Sequence, residues 1–174
     1  PYLVSLDTVS SAGPMASLGG LSVNTTYHLR VRGLSHNGNA SLWTGLGSTS
    51  TLTAVPGSAV STFSAVLASS MSVSWTANGN QVDRTTYTVV LSTGASYPNA
   101  LVGNVRMTTM PAGVELLATM DGLSANTTYH LFVAGVNHNG SEGAYAALGS
   151  TLTAADTPAP PSAGASTFTL VGIS

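Results

Sequence analysis

The stretch Leu123-Ser-Ala-Asn-Thr-Thr-Tyr-His-Leu-Phe-Val-Ala-Gly-Val-Asn137, continued by His138-Asn139-Gly140, occurs twice in the chain. The earlier copy reads Leu21-Ser-Val-Asn-Thr-Thr-Tyr-His-Leu-Arg-Val-Arg-Gly-Leu-Ser35, then His36-Asn37-Gly38, and its Tyr27 precedes Tyr129 by 102 residues. A period of that length is about one small β-sandwich, so the sequence predicts part of a tandem array of all-β domains.

The pattern inside the stretch is that of a strand with two unlike faces. Tyr129, Leu131 and Val133 alternate with His130, Phe132 and Ala134, and in the earlier copy Tyr27, Leu29 and Val31 alternate with His28, Arg30 and Arg32. A period of two sends the two sets to opposite faces. Unpaired charge is too costly to bury, so the arginine face is the wet one and Tyr27 and Tyr129 point inward. A tyrosine at such a strand entry can bury its ring and still send its hydroxyl to backbone at the sandwich corner. The pairs Asn37-Gly38 and Asn139-Gly140 supply positive φ for the turn that follows.

The order Gly-Leu-Ser-x-Asn-Thr-Thr-Tyr-His-Leu-x-Val, then Asn-Gly and a Thr-rich closing strand, resembles the E-to-G half of a fibronectin type III domain. Ser72-Val73-Ser74-Trp75 is similar to that family's B strand and Thr86-Tyr87-Thr88-Val89-Val90-Leu91 to its C strand. The resemblance implies tandem immunoglobulin-like sandwiches, one complete and one partial, with Tyr27, Trp75, Tyr87 and Tyr129 as core aromatics. It also implies a module of a secreted or surface protein. The Arg-Gly-Asp triplet of some family members has no counterpart in His36-Asn-Gly-Asn-Ala-Ser41 or His138-Asn-Gly-Ser-Glu142, so integrin-type recognition is not carried over.

Residues 1–54 read as a partial domain holding only C-terminal strands, and 55–61, with Pro56-Gly57, as a linker. A complete domain spans 62–156, with seven short apolar runs separated by breaks such as Asn78-Gly79-Asn80 and Pro111-Ala-Gly113. A Pro-rich linker, 157–165, leads to 166–174, where Ser166-Thr-Phe-Thr-Leu-Val171 repeats Ser61-Thr-Phe-Ser-Ala-Val66, the first strand of a domain. The chain therefore reads as a segment of a longer array. Strands to cover the partial domain come either from upstream chain or from a neighbouring subunit by strand addition.

Charged residues make up 6% of the chain, against about 25% in a typical globular protein, and lysine is absent. With a formal net charge of −2 there is no basic stripe for a phosphate backbone, which argues against nucleic acid as partner. The neutral Ser/Thr/Gly/Ala/Asn skin fits three situations: a glycan coat, packing against copies of itself, or a neutral surface on a secreted protein. No run of 18 or more apolar residues is present to span a membrane as a helix. Absence of cysteine removes disulfides and thiolate metal sites.

Candidate sites are few. His28, His36, His130 and His138 are two copies of one pair without a recurring third ligand, so no metal is expected. Asp7, Asp83, Glu115, Asp121, Glu142 and Asp156 are scattered, and no nucleophile elbow occurs, so neither catalysis nor a cofactor is expected. Four sequons, at Asn24, Asn39, Asn126 and Asn139, qualify as glycan acceptors, although Asn-Thr-Thr-Tyr also suits a turn on steric grounds. The expected role is a structural repeat segment of an extracellular or surface protein that assembles with copies of itself into a fibre or array. The alternative is an adhesin or a spacer beside a secreted polysaccharide-degrading enzyme.

Overall fold

The computed structural model describes residues 15–82, 84–97, 105–109 and 116–159. In chain order the strands are β1 (Thr26–Val31), β2 (Thr44–Ser50), β3 (Gly57–Ser64), β4 (Ser70–Thr76), β5 (Thr86–Ser92), β6 (Val105–Thr109), β7 (Leu116–Asp121), β8 (Thr128–Val136) and β9 (Ala146–Leu152). β1 and β2 form a separate hairpin sheet. The others form two sheets ordered β3-β4-β7 and β6-β5-β8-β9, all pairs antiparallel. The fold is all-β: one full immunoglobulin-like sandwich plus a partial pair of strands, with no helix among the described residues.

Alternation builds the three-stranded sheet. Met71, Val73 and Trp75 of β4 and Leu116, Ala118 and Met120 of β7 face the core, while Ser70, Ser72 and Ser74 face away. Each large apolar side chain so buried contributes about 1.5–3 kcal/mol of transfer free energy. From the opposite sheet come Tyr87, Val89, Leu91, Tyr129, Leu131 and Val133. Trp75 meets Tyr87 edge-on, ring centroids 5.4 Å apart. The Trp75 Nε1 and the Tyr87 hydroxyl are buried without a hydrogen bond of regular geometry. Burial raises the Tyr87 phenol above its ordinary 10.0, and the side chains of Asn80 and Thr85 partly offset this.

Three details differ from the sequence expectation. The outer face of β5 and β8 is dry: Thr88, Val90, Phe132 and Ala134 are buried as fully as the inner set. Tyr97 covers this face, tilted against Phe132 at 5.7 Å and edge-on to Tyr145 at 4.8 Å, and Glu142 accepts the Thr88 hydroxyl. The stretch expected as a linker is strand from Gly57 onward, so pairing with β4 starts five residues before Thr62. In the two Asn-Gly turns the glycine alone has positive φ, +85° at Gly38 and +79° at Gly140. Asparagine takes positive φ at Asn24 and Asn126, and at Asn78, which with Gly79 (φ +92°) forms a further Asn-Gly turn in which both residues do so. The break at Pro111 to Gly113, the region 1–14 and the segment 166–174 lie outside the described residues.

Both hairpins carry a bulge at the same place. Register slips between Leu29 and Arg30 in one and between His130 and Phe132 in the other. The glycines of the bulge, Gly47 (φ +99°) and Gly149 (φ +114°), take a conformation that other residues rarely adopt.

Candidate interaction surface

The corner preceding each hairpin is built twice from the same parts. The Ser22 amide donates to the Tyr27 hydroxyl at 2.9 Å and the Ser124 amide to the Tyr129 hydroxyl at 3.0 Å. The hydroxyls of Thr51 and Thr153 accept the Thr25 and Thr127 amides at 3.0 and 2.9 Å and donate to the Ser22 and Ser124 carbonyls, both at 2.7 Å. Asn24 and Asn126 turn the chain at φ +44° and +47°. Of the expected core aromatics, Trp75, Tyr87 and Tyr129 are buried in the sandwich core, and Tyr27 is half-buried on the open hairpin.

The two corners differ in what lies against them. Asn24 has no exposed surface. Its Nδ2 donates to Thr85 Oγ1 at 3.0 Å and its Oδ1 accepts the His138 amide at 3.0 Å, so it is wedged into the loop end of the sandwich. Around it, Asn137 Nδ2 donates to the Ser50 and Thr51 carbonyls, each at 3.3 Å, and the Ser50 hydroxyl donates to Asn139 Oδ1 at 3.2 Å. Asn80 clamps Ala54 from both sides, accepting its amide and donating to its carbonyl at 2.8 Å each. The Thr53 hydroxyl donates to the Gly135 carbonyl at 3.0 Å. A Cβ on Gly135 would stand 2.6 Å from Thr53, so glycine there is a packing requirement. The hairpin and sandwich thus meet through a polar, hydrogen-bonded junction. Asn126, the counterpart of Asn24, is exposed.

This placement sorts the four sequons. Asn24 is sealed in the junction, Asn139 is exposed while bonded to Ser50 and Thr49, and Asn39 and Asn126 are exposed. The histidines do not converge. His28, His36 and His138 are exposed and His130 is half-buried, and no group of three metal-liganding side chains occurs among the described residues. Thr53, Thr85 and Gly135 carry the junction without any motif to mark them. Their only sequence signal is a small residue where the neighbouring unit comes close.

The second surface is the inward face of the β1–β2 hairpin. Its Val31 and Leu46 are 49% and 62% exposed, whereas their counterparts Val133 and Leu148 are 0% and 8% exposed beneath the opposing sheet. Leu34, Leu42 and Trp43 are also exposed, and the Arg32 guanidinium lies over the Trp43 ring at 4.6 Å from its centroid.

Among solved structures, the chain is similar to a fibronectin type III domain of human fibronectin type III domain containing protein 3. That match has 19% identity, covers 67% of this chain and 97% of the other, and has a TM-score of 0.46. It is similar also to the chicken CNTN1 FN1-FN3 domains (20% identity, 78% and 45% covered, TM-score 0.46). A third match is the third fibronectin III domain of human KIAA0343 protein (17% identity, 63% and 90% covered, TM-score 0.34). No curated protein matches. Against known families, residues 58–148, more than half of the chain and nearly all of the sandwich, match the fibronectin type III domain, and the chain belongs to that family.

Proposed function

We propose that the chain is a structural segment of an extracellular or cell-surface protein in which fibronectin type III units follow one another in a tandem array, joined end to end, and that the array assembles with copies of itself. Fibronectin type III domains are generally non-catalytic modules common in such proteins. The observation that carries this reading is the fully buried Asn24, held between Thr85 and His138 while its counterpart Asn126 stands exposed. A floating tether would need no such junction. One made of short uncharged side chains and backbone groups sets the angle between units, because every bond in it is directional. The neutral skin supports self-association, since weak mutual repulsion leaves exposed apolar strands free to meet. In this reading Asn39 is open to a glycan, modification of Asn24 is incompatible with the folded junction, and Asn126, at the equivalent corner, is sealed in turn wherever a further unit docks on it.

Sedimentation of the chain up to about 1 mM, where even an association of about 4 kcal/mol is seen, tests the assembly part. Concentration-dependent growth in mass is expected. A monomer throughout would contradict it.

A further inference from the structure

Three Asn-Gly pairs occur in the chain, at Asn37-Gly38, Asn78-Gly79 and Asn139-Gly140. In the first and last the glycine closes its turn: the Gly38 amide donates to the Ser35 carbonyl at 2.9 Å and the Gly140 amide to the Asn137 carbonyl at 2.8 Å. Their asparagine side chains are held as well, Asn37 Oδ1 by the Ser35 hydroxyl and Asn139 Oδ1 by the Ser50 hydroxyl at 3.2 Å. The middle pair is built differently. The Asn80 amide donates to the Ala77 carbonyl at 3.0 Å, so Asn78 (φ +47°) and Gly79 (φ +92°) are the two central residues of a type I′ turn. Gly79 thus stands one place before the closing donor, and its own amide makes no hydrogen bond among the described residues. Both residues are exposed. The Asn78 side chain reaches across the junction, where its Nδ2 donates to the Val55 carbonyl at 2.8 Å, next to the Ala54 that Asn80 clamps.

We propose that Asn78 is a site of spontaneous deamidation, and that its conversion loosens the joint between hairpin and sandwich as the protein ages. The Gly79 nitrogen, its proton lost to water, bonds to Asn78 Cγ. The Cγ–Nδ2 bond breaks, ammonia leaves, and a five-membered succinimide remains. Water then adds to either ring carbonyl and opens it to aspartate or isoaspartate. Glycine permits the attack because it carries no side chain to crowd the nitrogen, and in this turn no hydrogen bond ties that nitrogen down. Either product replaces the amide donor with a carboxylate facing the Val55 carbonyl, two acceptors with no proton between them. Isoaspartate also lengthens the main chain two residues before Asn80, which displaces the clamp on Ala54. The site lies in the joint between units and does not depend on whether copies of the chain assemble.

The test has two arms. The full chain is held in mildly alkaline buffer and digested at intervals, and the asparagine peptides are weighed for the mass gained when an amide becomes an acid. Asn78 is expected to convert about fivefold faster than Asn37 or Asn139, the protection that one backbone hydrogen bond gives. Conversion led by Asn37 or Asn139, or none at Asn78, would overturn the site. In the second arm, hydrogen exchange at the Ala54 amide is compared in wild type, Asn78→Asp and Asn37→Asp, with circular dichroism verifying that each is folded. Exchange is expected to quicken about five- to tenfold in Asn78→Asp and to stay unchanged in Asn37→Asp, whose turn lies away from the junction. Unchanged exchange in Asn78→Asp would overturn the link to the joint.

Discussion

Replacing Asn24 by glycine isolates the junction. Glycine adopts φ +44° without strain, so the corner keeps its backbone and only the side-chain bonds to Thr85 Oγ1 and the His138 amide are lost. Each such bond is worth about 1 kcal/mol net, and a donor left buried costs more, so docking should weaken by roughly 2 kcal/mol. Asn126→Gly is the matched control: it has the same φ class, is exposed, and should stay within about 0.5 kcal/mol of wild type. The Ala54 amide, which donates to Asn80 across the junction, reports opening by hydrogen exchange without being touched by either substitution. At about 1.4 kcal/mol per decade, its exchange should quicken by about thirtyfold in Asn24→Gly and hardly change in Asn126→Gly. Equal effects from the two variants, or none from the first, would refute the junction as the element that fixes the hairpin.

The pair Gly33 and Gly135 makes a parallel comparison. Gly135→Ala drives a Cβ into Thr53 and should detach the hairpin at a cost above about 1 kcal/mol, whereas Gly33→Ala, which among the described residues meets Ser41 Oγ at 3.7 Å, should be tolerated, as Ala54 exchange in each will show. Leu131→Ala should lower sandwich stability by about 2–5 kcal/mol and Leu29→Ala by less than about 1 kcal/mol, measured by denaturant unfolding followed through Trp75, because only the first is sealed in a core. The raised phenol of Tyr87 sets a pH dependence. The unfolded chain ionises near 10.0 and the folded chain only above it, so stability is unaffected below that pH and falls as pH climbs past it. Tyr87→Phe should flatten that alkaline slope and cost little at neutral pH, since the buried hydroxyl lacks a regular hydrogen bond.

The seven strands of the sandwich were legible because β4 and β7 alternate cleanly and Asn-Gly turns punctuate the chain. The tyrosine corner was legible for a similar reason: strand alternation fixes where the ring must go, and the hydroxyl then has only backbone within reach. The dry outer face of β5 and β8 was not, because whether Val90 and Phe132 meet water depends on Tyr97, a loop residue whose return to the sheet leaves no periodic trace. The junction was hidden for a related cause. Asn24 and Asn126 sit in near-identical sequence and adopt the same φ, so local physics cannot tell a wedged asparagine from a bare one. In the turns at Asn37-Gly38 and Asn139-Gly140 the glycine takes positive φ alone, whereas in Asn78-Gly79 both residues do, and Asn24 and Asn126 use the same tolerance at the corners.

Residual dipolar couplings from the amides of β1–β2 and of β3–β9, recorded on one sample of the full chain, address the central claim most directly. A junction held by Asn24, Thr53, Asn80 and Asn137 makes the hairpin and the sandwich one rigid body, so a single alignment tensor should fit both sets of strands in their relative orientation. Two distinct tensors, with couplings scaled down in the hairpin, would mean that the two parts swing on a free tether and that no fixed angle passes from unit to unit.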